Sequence, residues 1–274
     1  MSELSRRTTL AAALGVLAAS PSEAQMPKTT RDDFNAWIAM RGGDDGQPAY
    51  WYSDGLVRPI KDGGKVASRM VGVETWVTPK AFRSATSAVS LSRKIFFFMD
   101  PARDDMATNP TSGKPERPSI FAYQVRTFTL VDGRIDYAVE SHDLRAIRTG
   151  GAGVTYTVNR IADQVHVNYA SFPVRPGPGG PVATSGEVYD YFDNGPRISE
   201  LPARYQMSWV GTNLEGRIAN QHGWRYATFD DIPNTWLKAI IRDKAPLWTA
   251  PPTTMAEIDK LRAQVPYQVP GLPV

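Results

Sequence analysis

Residues 120–140 read IFAYQVRTFTLVDGRIDYAVE, two runs rich in aromatic and β-branched side chains on either side of Asp132-Gly133. Both turn residues tolerate the positive φ of a tight hairpin, so the stretch predicts antiparallel strands over Ile120–Val131 and Arg134–Glu140. Short alternating segments of the same kind recur at Ala49–Val57, Arg69–Thr78, Ala88–Met99, Val154–Arg160, Gln164–Phe172 and Glu187–Phe192. Strands at this spacing favour a barrel or sandwich. The expected fold is mainly β, an antiparallel barrel or strongly curved sheet of about 8–10 strands.

Helices are expected at both ends of this region. Thr30 and Asp33 have capping-box-like spacing, and Phe34, Trp37, Ile38 and Arg41 fall at i, i+3, i+4 and i+7, which predicts one N-terminal helix ended by Asp44-Asp45-Gly46. Two more helices are expected near the C-terminus. Asp230 or Asp231 can cap Asn234–Asp243, with Pro233 in its first turn, and Thr254 with Glu257 forms a capping box for a helix ending near Val265. Asp100–Pro118 and Phe172–Gly186, rich in proline and turn residues, are expected as long loops, and Pro266–Val274 as an extended tail.

The first 25 residues have a different character. Arg6 and Arg7 precede the apolar run Leu10–Ala19 and the small-residue site Ser22-Glu23-Ala24, the order of parts in an export signal. The arginine pair resembles the twin-arginine address, with Thr9 where that motif usually carries phenylalanine. The expected organisation is a signal over 1–24 and a single β-rich domain over 25–274, placed in the periplasm or secreted. The apolar run is too short to span a bilayer, and no later segment reaches the ~20 apolar residues of a spanning helix.

Composition excludes several function classes. The chain carries 31 Lys+Arg against 28 Asp+Glu, and loss of Arg6, Arg7, Glu3 and Glu23 with the signal leaves the net charge at +3. That is too small to imply a nucleic-acid or membrane-surface partner. With no cysteine, disulfides, thiolate metal sites and a cysteine nucleophile are excluded. There is no Gly-x-Ser-x-Gly elbow, no phosphate-binding loop, no dinucleotide fingerprint and no His-Glu-x-x-His. Gly150-Gly151-Ala152-Gly153 precedes a strand and reads as a flexible turn. His142, His166 and His222 are the only histidines, and none has a metal-pairing spacing, so neither a metal nor an organic cofactor is expected.

Several residues carry a family resemblance. The run Gly46-Gln47-Pro48-Ala49-Tyr50-Trp51-Tyr52, the later Asp100-Pro101 with Asn109-Pro110-Thr111-Ser112-Gly113, and Trp209, His222, Asp231-Ile232-Pro233 and Ala250-Pro251 resemble a bacterial and fungal family catalogued as domain of unknown function eighteen-thirty-eight. The resemblance spans most of the mature chain and implies a single domain rather than a reaction. His222 stands where that family commonly has a histidine. The glycine and lysine that often follow are replaced here by a stretch containing Trp224 and Arg225.

Candidate chemistry rests on alternation. In Gln164–Ala170, His166 and Asn168 share a face that points either into a polar interior or to solvent. His222, among Trp224, Arg225 and Tyr226, is either a general base beside a ligand or a satisfied histidine at a strand edge. Trp51 and Ser53 alternate against Tyr50 and Tyr52, while Glu74 shares a face with Trp76. If Trp76 lines an interior, Glu74 needs a partner such as Arg69, Arg126, Arg204 or Arg225; otherwise Val73, Thr75 and Val77 face the core and Glu74 faces water. In Arg204–Trp209, Arg204 is a candidate anion clamp and Trp209 a candidate wall.

Two functions follow. The first is an exported enzyme acting on a small aromatic or apolar organic molecule by cofactor-independent acid-base chemistry, as a lyase, isomerase or hydrolase. His222 or His166 would be its catalytic base, and Trp51, Tyr52, Glu74, Trp76, Arg204, Trp209 and Arg225 would line the ligand site. The second is a non-catalytic, lipocalin-like carrier of an apolar ligand. The sequence assigns no oligomeric state.

Overall fold

The computed structural model describes residues 28–43, 46–61, 65–109, 112–141, 148–149, 154–161, 164–171, 174–177, 180–183, 186–193, 203–210, 216–264, 269 and 272. The signal segment, His142-Asp143, Gly150–Gly153, Asp44-Asp45 and most of the C-terminal tail lie outside the described residues.

Helix α1 (Arg31–Gly42) opens the fold, followed by β1 (Ala49–Pro59), β2 (Ser68–Val77), β3 (Ser87–Met99), β4 (Ser119–Val131), β5 (Arg134–Ser141), the two-residue β6 (Arg148–Thr149), β7 (Val154–Ile161) and β8 (Gln164–Ser171). Then come β9 (Val174–Gly177), β10 (Gly180–Ala183), β11 (Gly186–Phe192), β12 (Arg204–Val210), β13 (Arg217–Tyr226), α2 (Thr235–Lys244) and α3 (Met255–Arg262). One antiparallel sheet runs β6-β5-β4-β3-β2-β1-β13-β12-β11-β8-β7. Its two ends approach each other where β5 nears β7, so the sheet is a nearly closed barrel. Aromatic rings bridge that seam: Tyr137 of β5 and Tyr156 of β7 lie 5.3 Å apart, and Phe128 lies 5.7 Å from Tyr156.

The mainly β class, the strand segments and the three helices agree with the sequence-based expectation. Four details differ. β6, β12 and β13 fall outside the strand segments named from sequence. The Phe172–Gly186 stretch contains the β9–β10 hairpin, with Pro181 opposite Pro176; proline lacks an N–H, which hid the pairing behind a loop-like composition. The cap of α2 is Asn234, whose side chain accepts from Leu237 N. Asp231 instead accepts from Thr228 and Asp230 pairs with Arg242, so neither caps the helix. β4 also carries an extra residue, because the step from Ser92 to Lys94 on β3 is matched by Gln124 to Phe121.

That bulge turns both Ala122 and Tyr123 into the outer apolar cluster and aims backbone carbonyls outward. Buried carbonyls need donors, and side chains supply them. Arg93 Nε donates to Ala122 O (3.1 Å), and Trp248 Nε1 donates to Phe121 O (3.2 Å) and Lys94 O (2.8 Å). Arg93 also donates to Ala250 O (2.7 Å) and pairs with Glu257. The C-terminal segment is thereby fixed over β2–β4, where Val71, Val73, Val77, Leu91, Ile95 and Phe97 meet Leu237, Ile241, Trp248 and Ile258.

The opposite faces of the same strands build the barrel interior with α1 inserted as a plug. Thr30 caps α1 by accepting from Asp33 N (3.1 Å), as expected, and the helix buries Phe34, Trp37, Ile38 and Met40 in the interior cluster. Its C-terminal carbonyl at Arg41 accepts from Trp51 Nε1 (3.0 Å). β2 is buried along nearly its whole length, with Met70 and Trp76 inside and Val71, Val73 and Val77 outside. Gly223 of β13 makes room for the Tyr205 ring, since a Cβ there would stand 2.1 Å from it. Gly223→Ala is expected to lower the unfolding free energy by about 1–3 kcal/mol, the range of core overpacking, measured by urea titration.

Candidate functional site

The interior of the barrel is not purely apolar. Glu74, fully buried on β2, receives three donors on one oxygen: Arg41 Nη2 from α1 (2.9 Å), Trp76 Nε1 (3.0 Å) and Lys94 Nζ from β3 (3.0 Å). Glu74 and Lys94 are directly opposite across the β2–β3 ladder. Arg126 enters from β4 and donates to Gln124 Oε1 (3.1 Å), to which Ser92 Oγ also donates (3.4 Å). Both guanidiniums lie over the Trp76 ring, Arg41 at 4.1 Å and Arg126 at 4.8 Å. Each cation gains from the ring's negative face while the indole N–H serves the carboxylate.

Tyrosines form the rest of the wall. Tyr156 stacks on Tyr169 at 4.5 Å, Tyr189 on Tyr191 at 5.4 Å, and Tyr205 lies 5.3 Å from both Tyr189 and Tyr191. Glu187, at the start of β11, accepts from Tyr169 OH (2.9 Å) and interacts electrostatically with Lys94 and Arg126. Among the described residues, Arg41 Nη1, Arg126 Nε and Glu74 Oε1 are buried without a hydrogen-bond partner.

Electrostatics divide the lysine from the carboxylate. Burial alone pushes the Glu74 carboxyl up, but Lys94, Arg41 and Arg126 outweigh it and hold the group down to about 2. Burial pushes the Lys94 amine down; Glu74 opposes this, Arg126 and Arg41 add to it, and the net result is about 8. A lysine that titrates this low despite a carboxylate at 3.0 Å reflects both desolvation and two like charges beside it. Burial likewise raises the phenols of Tyr156, Tyr169, Tyr189 and Tyr191 well above the usual tyrosine range.

The residues named from sequence separate into two groups. Trp51, Glu74 and Trp76 face the interior together, and Trp209 packs against its edge, half-buried. The reading in which Glu74 faces water is overturned: β2 is covered on both faces, its valines by the C-terminal helices and Glu74 by α1 and β3. Of the partners considered for Glu74, only Arg126 stands beside it. Arg69 pairs with Asp54 on the outer face, Nε to Oδ1 at 2.8 Å. Arg204 is exposed and lies 5.9 Å from the Phe192 ring, so it clamps nothing inside. Arg225 is half-buried near the end of β13, opposite Trp51 in the ladder. Tyr52 turns outward, donates to Asp54 Oδ2 (2.9 Å) and stacks on Trp224 at 6.0 Å.

Both candidate bases lie outside the barrel. His222 is exposed on β13, 6.3 Å from the Trp224 ring. His166 is half-buried on the outer face of β8, edge-on to Phe192 at 4.8 Å and 3.5 Å from Gln164 Oε1. Alternation decides this: Val165, Val167 and Tyr169 take the inward positions of β8, while Ala219, Gln221 and Gly223 take those of β13.

Sequence reasoning missed Arg41 and Lys94. Arg41 carried a signal, a cation at the i+7 position of an otherwise apolar helical stripe. Lys94 carried less, because the neighbouring Arg93 is also a cation and one of the two had to face outward.

Comparison of the chain with family models, with curated proteins and with solved structures returns no match. Among the described residues, no cluster of three or more His, Cys, Asp or Glu side chains is arranged to hold a metal ion, and no helix is long and apolar enough to cross a membrane.

Breaking the ion cluster from its two sides has unequal effects. Glu74→Gln leaves buried cations uncompensated and is expected to cost about 3–5 kcal/mol, whereas Lys94→Met removes a surplus charge and costs about 1 kcal/mol or less. Because the folded amine titrates near 8 and the unfolded one near 10.5, the unfolded chain binds more protons between these values, so stability rises with pH across that window. The tyrosines, with raised pKa, oppose the rise only above pH 10. Urea titrations at pH 7.5 and 9.5 are expected to show the rise in the wild type and not in Lys94→Met.

Proposed function

We propose that the chain is an exported enzyme that acts on a small aromatic or apolar organic molecule inside the barrel by cofactor-independent acid-base chemistry of the lyase, isomerase or hydrolase type. The observation that carries this reading is the buried Lys94–Glu74 couple at 3.0 Å within a wall of tyrosine and tryptophan rings. It replaces the histidines of the sequence-based reading with a lysine as the proton-transfer group.

An amine that titrates near 8 exchanges its proton close to physiological pH, and in its protonated form it serves as a general acid. When it takes a proton, the fixed Glu74 carboxylate stabilises the ammonium without moving. Arg126, whose Nε has no partner among the described residues, is placed to stabilise negative charge that develops on the substrate. The twin-arginine-like segment supports a site of action outside the cytoplasm, and the family resemblance centred on Gly46–Tyr52 belongs to the same proposal.

The carrier remains the second reading. It is favoured by one specific observation, the outward placement of His166 and His222, which leaves the aromatic interior without a described histidine. Native mass spectrometry of protein purified from the envelope of the producing cell identifies a retained compound, and turnover of that compound separates the two readings. Lys94→Met is expected to lower kcat by about 100-fold or more, the usual range for loss of a general acid, while His222→Ala and His166→Ala leave it within about twofold. Full turnover by Lys94→Met overturns the assignment; a compound held by the wild type and released unchanged makes the protein a carrier.

A further inference from the structure

Among the described residues, the charges inside the barrel do not balance. Three cations, Arg41, Lys94 and Arg126, face two carboxylates, Glu74 and Glu187. A surplus charge in a desolvated interior is costly unless a counter-ion or a hydrogen-bonding partner accompanies it. Glu74 is already saturated on one oxygen by three donors, so the surplus is carried by Arg126. Its Nη2 is held by Gln124, while Nε is a buried donor with no partner among the described residues.

Arg126 and Lys94 are also less completely enclosed than the groups on the Glu74 side. Glu74, Trp51 and Trp76 are at 0%, whereas Lys94, Arg126, Val139 and Tyr156 keep 5, 6, 8 and 9%. Val139 is the cross-strand neighbour of Arg126, and Tyr137, beside it on β5, stands 5.7 Å from the guanidinium. A guanidinium and an amine are therefore framed by flat rings.

We infer that the interior ligand is a small organic monoanion, a carboxylate on a flat aromatic or conjugated body, with its carboxylate on Arg126 and Lys94 and its body against Tyr137 and Tyr156. This rests on the small-molecule reading above and names its substrate class. One negative charge restores neutrality, whereas a phosphate dianion exceeds the surplus and a neutral body leaves it in place. A guanidinium with one edge anchored by Gln124 presents its remaining N–H in a fixed direction, which suits a planar carboxylate.

The anion also changes the titration of Lys94. The groups that face this amine are Glu74 on β2, Arg126 on β4, Arg41 on α1, and Glu187 and Tyr189 on β11. A bound carboxylate opposes the two arginines and favours the ammonium. Affinity for the anion consequently falls as pH rises through the titration of the free amine.

The test uses the mature full-length protein and three probes of one size: 2-naphthoate, its neutral amide 2-naphthamide, and 2-naphthyl phosphate, titrated calorimetrically at pH 7 and 9.5. Expected results are naphthoate binding roughly tenfold or more tighter than the amide and the phosphate at pH 7, a loss of about fivefold or more in naphthoate affinity at pH 9.5, and no such loss for the amide. Arg126→Gln should bring the acid and amide within about twofold of each other. Equal or tighter binding of the amide, a preference for the phosphate, or no binding of any probe by the wild type overturns the inference. So does an acid preference that survives in folded Arg126→Gln; the wild-type comparison decides alone if that variant does not fold. Because these titrations read no turnover, their failure leaves the Lys94 assignment standing, and failure of Lys94-dependent turnover leaves a selective carboxylate site standing.

Discussion

The carboxylate of Glu74 organises the interior of this barrel. It holds Arg41 at the end of the plug helix, Lys94 on the adjacent strand and the indole of Trp76, and through that indole it sets the ring face on which Arg126 rests. Charges this deeply buried contribute little net stability compared with an apolar core of equal volume. What they provide is placement: α1 can enter the barrel in only one way if Arg41 is to reach Glu74, and the Trp51 indole N–H confirms that placement by capping the helix at Arg41 O.

Much of the architecture was legible in the sequence, and the reasons are local. β4 and β5 announce themselves through alternation and Asp132-Gly133, and Asp132 does adopt a positive φ of 51°. The caps at Thr30 and Thr254 are short-range hydrogen bonds between neighbours in sequence. The β4 bulge left no local trace because its cause is distant: Arg93 and Trp248 accept the task of satisfying carbonyls that a regular ladder would have paired. The Asn234 cap was missed in favour of Asp230 and Asp231, equally good capping residues that tertiary contacts employ elsewhere.

The candidate site was legible only in part, for a related reason. Alternation tells which residues share a face, never which face is inside, and on β2 both faces are apolar because the C-terminal helices cover one and the plug covers the other. Trp76 and Glu74 were correctly paired with each other, but the direction in which they point is a property of the whole sheet. The histidines drew attention as chemical types, yet the inward positions of β8 and β13 belong to valine, tyrosine, alanine, glutamine and glycine. Arg41 and Lys94 reach Glu74 from elements whose proximity no spacing along the chain encodes.

The adjacency of β1 and β13 has a consequence for how the molecule comes into being. Strands β1 to β6 form one meander and β7, β8 and β11 to β13 another, and among the described residues the β1–β13 ladder is the hydrogen-bonded seam that joins them. Ser53 and Gln221, hydrogen-bonded across that ladder, are 168 residues apart. During synthesis the first meander therefore emerges with an edge strand that has no partner until β13 has been made. Such an edge is a template for pairing with the wrong chain, and contacts of this sequence separation form slowly. The barrel closes late, from its middle, and the nascent protein must be kept apart from its own copies until it does.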